Sequence, residues 1–219
     1  MATTIHEPPQ IADPPPGNGG WRNLVPVDGD PRALQQHAPP PASTGIWVVL
    51  FSISMTFAAF TSALVVRQGS ALDWRHFTLP TILYFNTALL LASSATLEVA
   101  RRRVASFMGG RKLEDEPPAR WLYVTLGLGL LFVAGQYAAW SQLKSQGLYL
   151  ATNPSSSFFY VLTAAHAFHV LGGLGGMVNV LRKLGQSRLR RSTLDATSHY
   201  WHFMGGLWVY LLVLLWIKL

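Results

Sequence analysis

The sequence predicts an all-α integral membrane protein: a five-helix transmembrane bundle preceded by a disordered amino-terminal arm. Three observations predict it. From Thr44 onward the chain carries five apolar runs of about 21 to 27 residues, where roughly 17 to 25 suffice to cross a bilayer as helix. Only 12% of the 219 residues are charged and 50% are hydrophobic, against about 25% charged in a soluble domain. Basic residues concentrate in alternate connections between the runs, as the topology of a multi-pass protein requires. Strands that pair only within themselves cannot satisfy their backbone in lipid, so each run is a helix.

Residues 1–43 form the arm. They hold ten prolines, among them Pro14-Pro15-Pro16 and Pro39-Pro40-Pro41, and no apolar core of a signal peptide, so a solvated or polyproline segment is expected. Residues 44–219 form the membrane domain. The first span, 44–66, has no charged residue and lies between Pro39–Pro41 and Gly69. The second, 80–100, opens on Pro80, a residue suited to a first helical turn. The third spans 120–143. The fourth, 155–181, follows Asn153-Pro154, and the fifth covers 196–217.

The net charge of +7 would suggest nucleic acid in a soluble protein. Here most of the excess lies in two connections: Arg101, Arg102, Arg103, Arg111, Lys112 and Arg120 in one, and Arg182, Lys183, Arg188, Arg190 and Arg191 in the other. Together with Arg22 and Arg32 of the arm these make thirteen basic residues on one side. Arg67, Arg75, Lys144 and Lys218 make four on the other. The positive-inside rule places the arm and both basic loops in the cytoplasm and the carboxyl terminus outside, with the bacterial inner (plasma) membrane as the expected location. No nucleic-acid partner is expected. The absence of cysteine excludes a disulfide scaffold, an iron–sulfur cluster, C-x-x-C-H haem attachment and a thiolate copper centre.

Ionisable groups inside the bilayer are functional candidates by default, and the interiors of these spans hold few. Glu98, near the cytoplasmic end of the second span, is spaced to pair with Arg101 at i,i+3 or Arg102 at i,i+4; a proton-handling or partner-contact role is the competing reading. His166 and His169 share a face of the fourth span, continued by Gly172, Gly173 and Gly176 at a close-packing spacing. His199 and His202 lie one turn apart at the start of the fifth. Two histidine pairs raise bis-histidine haem ligation. Depth opposes it, because His169 lies roughly 18 Å from the cytoplasmic end of its span and His202 about 9 Å. Histidines that hydrogen-bond across a tight helix pair, or reach lipid headgroups, are the expectation, and no metal site is assigned. Asn86, Thr87, Ser93, Ser94, Thr96 and Gln136 are expected to bridge helices. Trp47, Trp121, Trp140 and Trp216 are expected to anchor the interfaces.

The run Thr163-Ala-Ala-His-Ala-Phe-His-Val-Leu-Gly-Gly173 resembles the T-G-x-H-x-x-H-V-x-x-G helix of subunit III of haem-copper oxidases. Tyr200-Trp201-His202-Phe203 with Leu207-Trp208 resembles that family's last helix. Asn86-Thr87 with Ser93-Ser94-Ala95-Thr96 resembles its N-T-x-x-L-x-x-S-S-x-T helix, and Gly135-Gln136 before Trp140 matches its third. Gly45-x-Trp47 with Met55 resembles the entry to the first helix of five-span members. The similarity runs in order over residues 44–219.

The resemblance implies a non-catalytic accessory subunit of a cytochrome c or quinol oxidase in the aerobic respiratory chain. Such a subunit binds no cofactor itself. It packs on catalytic subunit I, which with other subunits carries haem and copper, holds structural phospholipids in a V-shaped cleft, and supports proton uptake during oxygen reduction. Under that reading His166, His169, His199, Trp201, His202, Gly172, Gly173, Gly176, Asn86 and Gln136 serve packing and lipid contact, and Glu98, Arg101 and Arg102 form a polar or ion-pair site. The chain departs from the family where carboxylates are usual: Ile53, Ala139 and Gly205 occupy those places. A mainly structural, lipid-organising role follows. The competing readings are a subunit III-like protein of a nitric oxide reductase system, a stand-alone b-type cytochrome using His166 or His169 with His202, and a small transporter or channel, which the apolar interior and lack of repeats oppose.

Overall fold

A computed structural model describes residues 41–70, 74, 77–108, 119–186 and 188–218. The arm expected over 1–43 therefore lies outside the described residues up to position 40, as do Arg75, Arg111 and Lys112. Five helices follow one another: α1 (Pro41–Ser70), α2 (Ile82–Met108), α3 (Ala119–Ser145), α4 (Pro154–Gly185) and α5 (Arg191–Lys218). No strand occurs among the described residues. All five helices are long and apolar enough to cross a membrane. Each extends beyond its expected span by one to eight residues at one or both ends, except that α2 starts two residues later, at Ile82 rather than Pro80. The added turns are polar or basic, as in Arg101–Arg103 and Arg182–Lys183.

Local chemistry ends the helices where the chain must turn. After α3, Gly147 takes φ +78°, and the Leu148 amide reaches back to the Leu143 carbonyl at 3.1 Å. A residue without Cβ enters that left-handed region freely, so glycine suits this stop. α4 restarts with Pro154 in its first turn, and the Asn153 amide donates to Ser156 Oγ at 3.2 Å. At the far end of α5, the Lys218 carbonyl accepts from Gln68 Nε2 at 3.2 Å and from Trp74 Nε1 at 3.1 Å. Those donors satisfy a terminal carbonyl that the helix leaves open.

Helices α2 and α3 form the most extensive pair, and α3–α4, α4–α5 and α5–α2 contacts close a four-helix ring. α1 packs outside this ring, on α4 and α5. Its buried residues, Leu50, Ile53, Phe57 and Leu64, fall at helical spacing on one stripe, as expected of a helix with protein on one side only. Large apolar side chains remain exposed around the bundle, including Trp47, Phe51, Phe85, Tyr137, Phe168 and Trp216. For a helix in lipid that exposure carries no penalty.

Candidate functional site

Two tryptophans of α5, seven residues apart and so on one face about 10.5 Å apart along the axis, hold the ring together. Trp201 is fully buried. Its Nε1 donates to Ser93 Oγ of α2 at 3.0 Å. Its ring lies against Gly129 of α3, where a Cβ would sit 2.8 Å from Cη2, and against Gly173 of α4, where a Cβ would sit 3.1 Å from Cε3. Four helices thus meet on one indole, and two of them do so only because they carry glycine there. Trp208, also fully buried, repeats the arrangement one level along. Its Nε1 donates to Thr87 Oγ1 of α2 at 3.0 Å. Its ring centroid lies 5.1 Å from Phe132 of α3 and 5.1 Å from His166 of α4.

These contacts decide what each polar residue does. Thr87 and Ser93 bridge helices as expected, and so does Thr96, whose hydroxyl lies 2.9 Å from Thr125 Oγ1 on α3. Ser94 faces Gly205 of α5, where a Cβ would meet its Oγ at 3.4 Å. Trp140 Nε1 donates to Thr163 Oγ1 at 3.0 Å, joining α3 to α4. Asn86 and Gln136 differ from the expectation. Both are buried, and none of their side-chain polar atoms has a hydrogen-bond partner among the described residues. Asn86 instead presses on α3 at Gly135, where a Cβ would lie 2.0 Å from Oδ1.

The histidines diverge. His166 is buried between Phe132 and Trp208. His169 is half-buried and turns toward α1, with its ring centroid 5.8 Å from Phe57. His199 is exposed beside Trp47 at 6.3 Å, and His202 is exposed. The expectation of histidine hydrogen bonds across a helix pair is corrected in part. His169 Nδ1 meets the carbonyl of Ala165, and His199 Nδ1 that of Asp195, each at 2.7 Å within its own helix. A four-residue step returns a ring nitrogen to the carbonyl one turn back, so the local contact wins over a partner on another helix. The cross-helix bond comes from Tyr200, whose hydroxyl donates to the His169 carbonyl at 2.9 Å. Of the residues a bis-histidine haem would use, His166 or His169 with His202, His166 is buried in the core, His169 is half-buried and His202 is exposed. Among the described residues no group of three or more His, Cys, Asp or Glu is placed to hold a metal.

The expected ion pair forms and is larger than the sequence indicated. Arg101 Nε and Nη2 donate to the two oxygens of Glu98 at 2.8 and 3.0 Å, and Arg102 Nε donates to Glu98 Oε1 at 2.9 Å. Arg101 Nη1 also reaches Asp195 Oδ1 of α5 at 3.4 Å, and Arg191 Nε lies 3.8 Å from Asp195 Oδ2. Asp195 was not a candidate in the sequence. The signal that could have found it is topological: the second helix ends, and the fifth begins, on the same side of the membrane.

Of the tryptophans expected at interfaces, Trp47 and Trp216 are exposed near the two ends, and Trp121 lies 5.2 Å beneath the Arg103 guanidinium. Gly172, Gly173 and Gly176 line a cavity of about 390 Å³ between α1, α4 and α5, together with Ile46, Val49, Thr197 and Tyr200. A second cavity of about 360 Å³ lies between α1 and α5, lined by Ser54, Phe57, Ala58, Phe203, Gly206 and Tyr210. The three places where the family resemblance would put carboxylates, Ile53, Ala139 and Gly205, are all buried.

Residues 46–218 match the family described as cytochrome c oxidase subunit III. A probable cytochrome c oxidase subunit 3 of Nocardia farcinica is 30% identical over 187 residues, covering 81% of this chain and 88% of that protein. Cytochrome c oxidase subunit 3 of Corynebacterium diphtheriae is 27% identical, over 83% of this chain and 90% of that protein. That of Thermostichus vulcanus is 28% identical, over 79% and 85% respectively.

Proposed function

The chain belongs to the cytochrome c oxidase subunit III family and is an accessory subunit of a haem-copper oxidase; from that premise we propose that it packs beside catalytic subunit I, contributes no electron carrier, and organises phospholipid at the flank of the complex. The observation that carries the reading is the family match across all five helices, which takes in the Trp201 and Trp208 levels at the centre of the bundle. Haem and copper belong to partner subunits. Cytochrome c is the electron donor that the relatives' names favour, and those names do not favour the nitric oxide reductase reading.

Lipid is the ligand that the two cavities beside α1 fit. α1 touches the ring only along one stripe, so an acyl chain can enter on either side of it. On one side Gly172, Gly173 and Gly176 leave a smooth floor of helix backbone, and Thr197 and Tyr200 supply the polar edge. Trp47, next to Ile46 of that lining, is exposed and lies 6.3 Å from the exposed His199, and a headgroup would lie beside this pair. The arm and both basic loops face the cytoplasm in a bacterial plasma membrane, and the carboxyl terminus faces outside, because thirteen of the seventeen basic residues fall on the arm's side. Anionic headgroups would gather at Arg188–Arg191 and Arg101–Arg103.

Support for proton uptake in this oxidase is indirect. Ile53 and Ala139 are apolar and buried, and Gly205 is buried with no side chain to titrate. The chain acts by keeping its neighbour's lipid environment and packing intact. Purification of the native complex through a tag on this chain tests the assignment. Haem- and copper-bearing subunits should co-migrate with it, and the chain isolated alone should be colourless. A tagged complex without such subunits, or a Soret band on the isolated chain that His166→Ala abolishes, would refute it.

A further inference from the structure

One layer of the bundle is not explained by packing alone. Asn86 of α2, Gln136 of α3 and His166 of α4 are 0%, 1% and 0% exposed. Six side-chain atoms (Oδ1 and Nδ2, Oε1 and Nε2, Nδ1 and Nε2) have no hydrogen-bond partner among the described residues. The surrounding contacts bring the three residues to one level. Asn86 presses on Gly135, the neighbour of Gln136. Gln136 lies one turn from Phe132 and one turn from Trp140 on the same strip of α3. Phe132 meets His166, and Trp140 bonds Thr163, three residues before His166. Gln136 therefore faces α4 between Thr163 and His166. Trp208 closes the layer, bonded to Thr87 beside Asn86 and stacked near His166.

Six buried polar atoms without partners would rival the net stability of an ordinary domain, and in hydrocarbon no solvent outside the bundle can relieve them. We propose that this layer is a binding site for internal water, held between the Asn86 and Gln136 carboxamides and the His166 imidazole. The chemistry selects water over other occupants. Each carboxamide offers both a donor and an acceptor, and so does a neutral imidazole, which suits a ligand able to play both roles. An ion is disfavoured: Glu98, the carboxylate nearest in sequence on these helices, is twelve residues along α2 from Asn86, about 18 Å. The Phe132 and Trp208 rings, 6.0 and 5.1 Å from His166, make the apolar border of the layer. Bound water would join α2, α3 and α4 where direct side-chain bonds do not, and would complete the layer that Trp208 already ties to α5. The site concerns the interior of this chain and stands whichever electron donor the complex uses.

A density map of the complete native assembly, at a resolution that shows ordered water, tests this. Density separate from the side chains and within hydrogen-bonding distance of Gln136 and of at least one of Asn86 and His166 is expected. The same map of an assembly carrying Gln136→Met should lose that density and keep the Trp208–Thr87 contact. A wild-type map in which the three side chains bond one another with nothing between them overturns the proposal, and so does density that persists unchanged with Gln136→Met. If that variant does not assemble, the wild-type map alone decides. The reading holds or fails whether or not a haem-copper subunit is present in the assembly, so it is separable from the assignment of function.

Discussion

Replacing Gly135 by alanine isolates the contact on which the α2–α3 pair depends. The new Cβ would lie 2.0 Å from Asn86 Oδ1, 2.8 Å from Cγ and 3.0 Å from Nδ2. Relief needs a displacement of more than about 1 Å, since non-bonded heavy atoms settle near 3.5–4.0 Å. Asn86 is fully buried, so its carboxamide cannot swing outward, and the helices themselves must part. Overpacking of this kind costs about 1–3 kcal/mol. Alanine also gains up to about 1 kcal/mol over glycine in a helix, which would mask part of the effect. Gly127→Ala removes that ambiguity, because Gly127 lies on the same helix and a methyl group added there would meet nothing within 4 Å. Thermal unfolding of the full-length variants in one detergent should therefore place Gly135→Ala below Gly127→Ala by about 1–3 kcal/mol. In an Asn86→Ala background most of that difference should vanish, a coupling that a double-mutant cycle measures directly. Equal stabilities of the two glycine variants, or a difference untouched by Asn86→Ala, would refute the close approach.

Other perturbations read other parts of the bundle. Thr87→Val should lower stability by about 0.5–2 kcal/mol by leaving Trp208 Nε1 unpaired in the core, and the indole absorbance of Trp208 should shift with loss of its hydrogen bond. Trp201→Phe removes the bond to Ser93 and opens space against Gly129 and Gly173; a loss of about 1–3 kcal/mol is expected, with a smaller effect from Ser93→Ala. His169→Leu should weaken retention of α1 or of lipid in the purified complex without changing the haem spectrum, and an altered spectrum would contradict a purely structural histidine. Arg101→Gln should cost at most about 1 kcal/mol, because Arg101 and Asp195 are both about one-third exposed and solvent screens them; that loss should shrink further as salt is raised.

The span count and the approximate course of each span were legible in the sequence itself. They depend on a local quantity, the apolar run length against bilayer thickness; the turns that carry the helices past those runs were not legible in it. The Glu98–Arg101–Arg102 cluster was legible for the same reason, since its members lie within one turn of a helix. The family motifs were legible as strings, and they marked Asn86, Gln136, His166 and Trp201 without saying what each touches.

The tertiary structure alone decided which of those residues meet. In a helix that is apolar on every side, the sequence does not mark which direction faces protein, so rotation about the axis goes unread until neighbours are in place. That rotation sends His166 into the core and His202 to an exposed face, and turns His169 toward α1. It brings Asp195 to Arg101 across ninety-odd residues of chain. It sets Trp201 and Trp208 at the meeting of four helices, and it leaves α1 outside the ring. Hydropathy reports the distance a helix can span; only packing between helices reports the direction it presents.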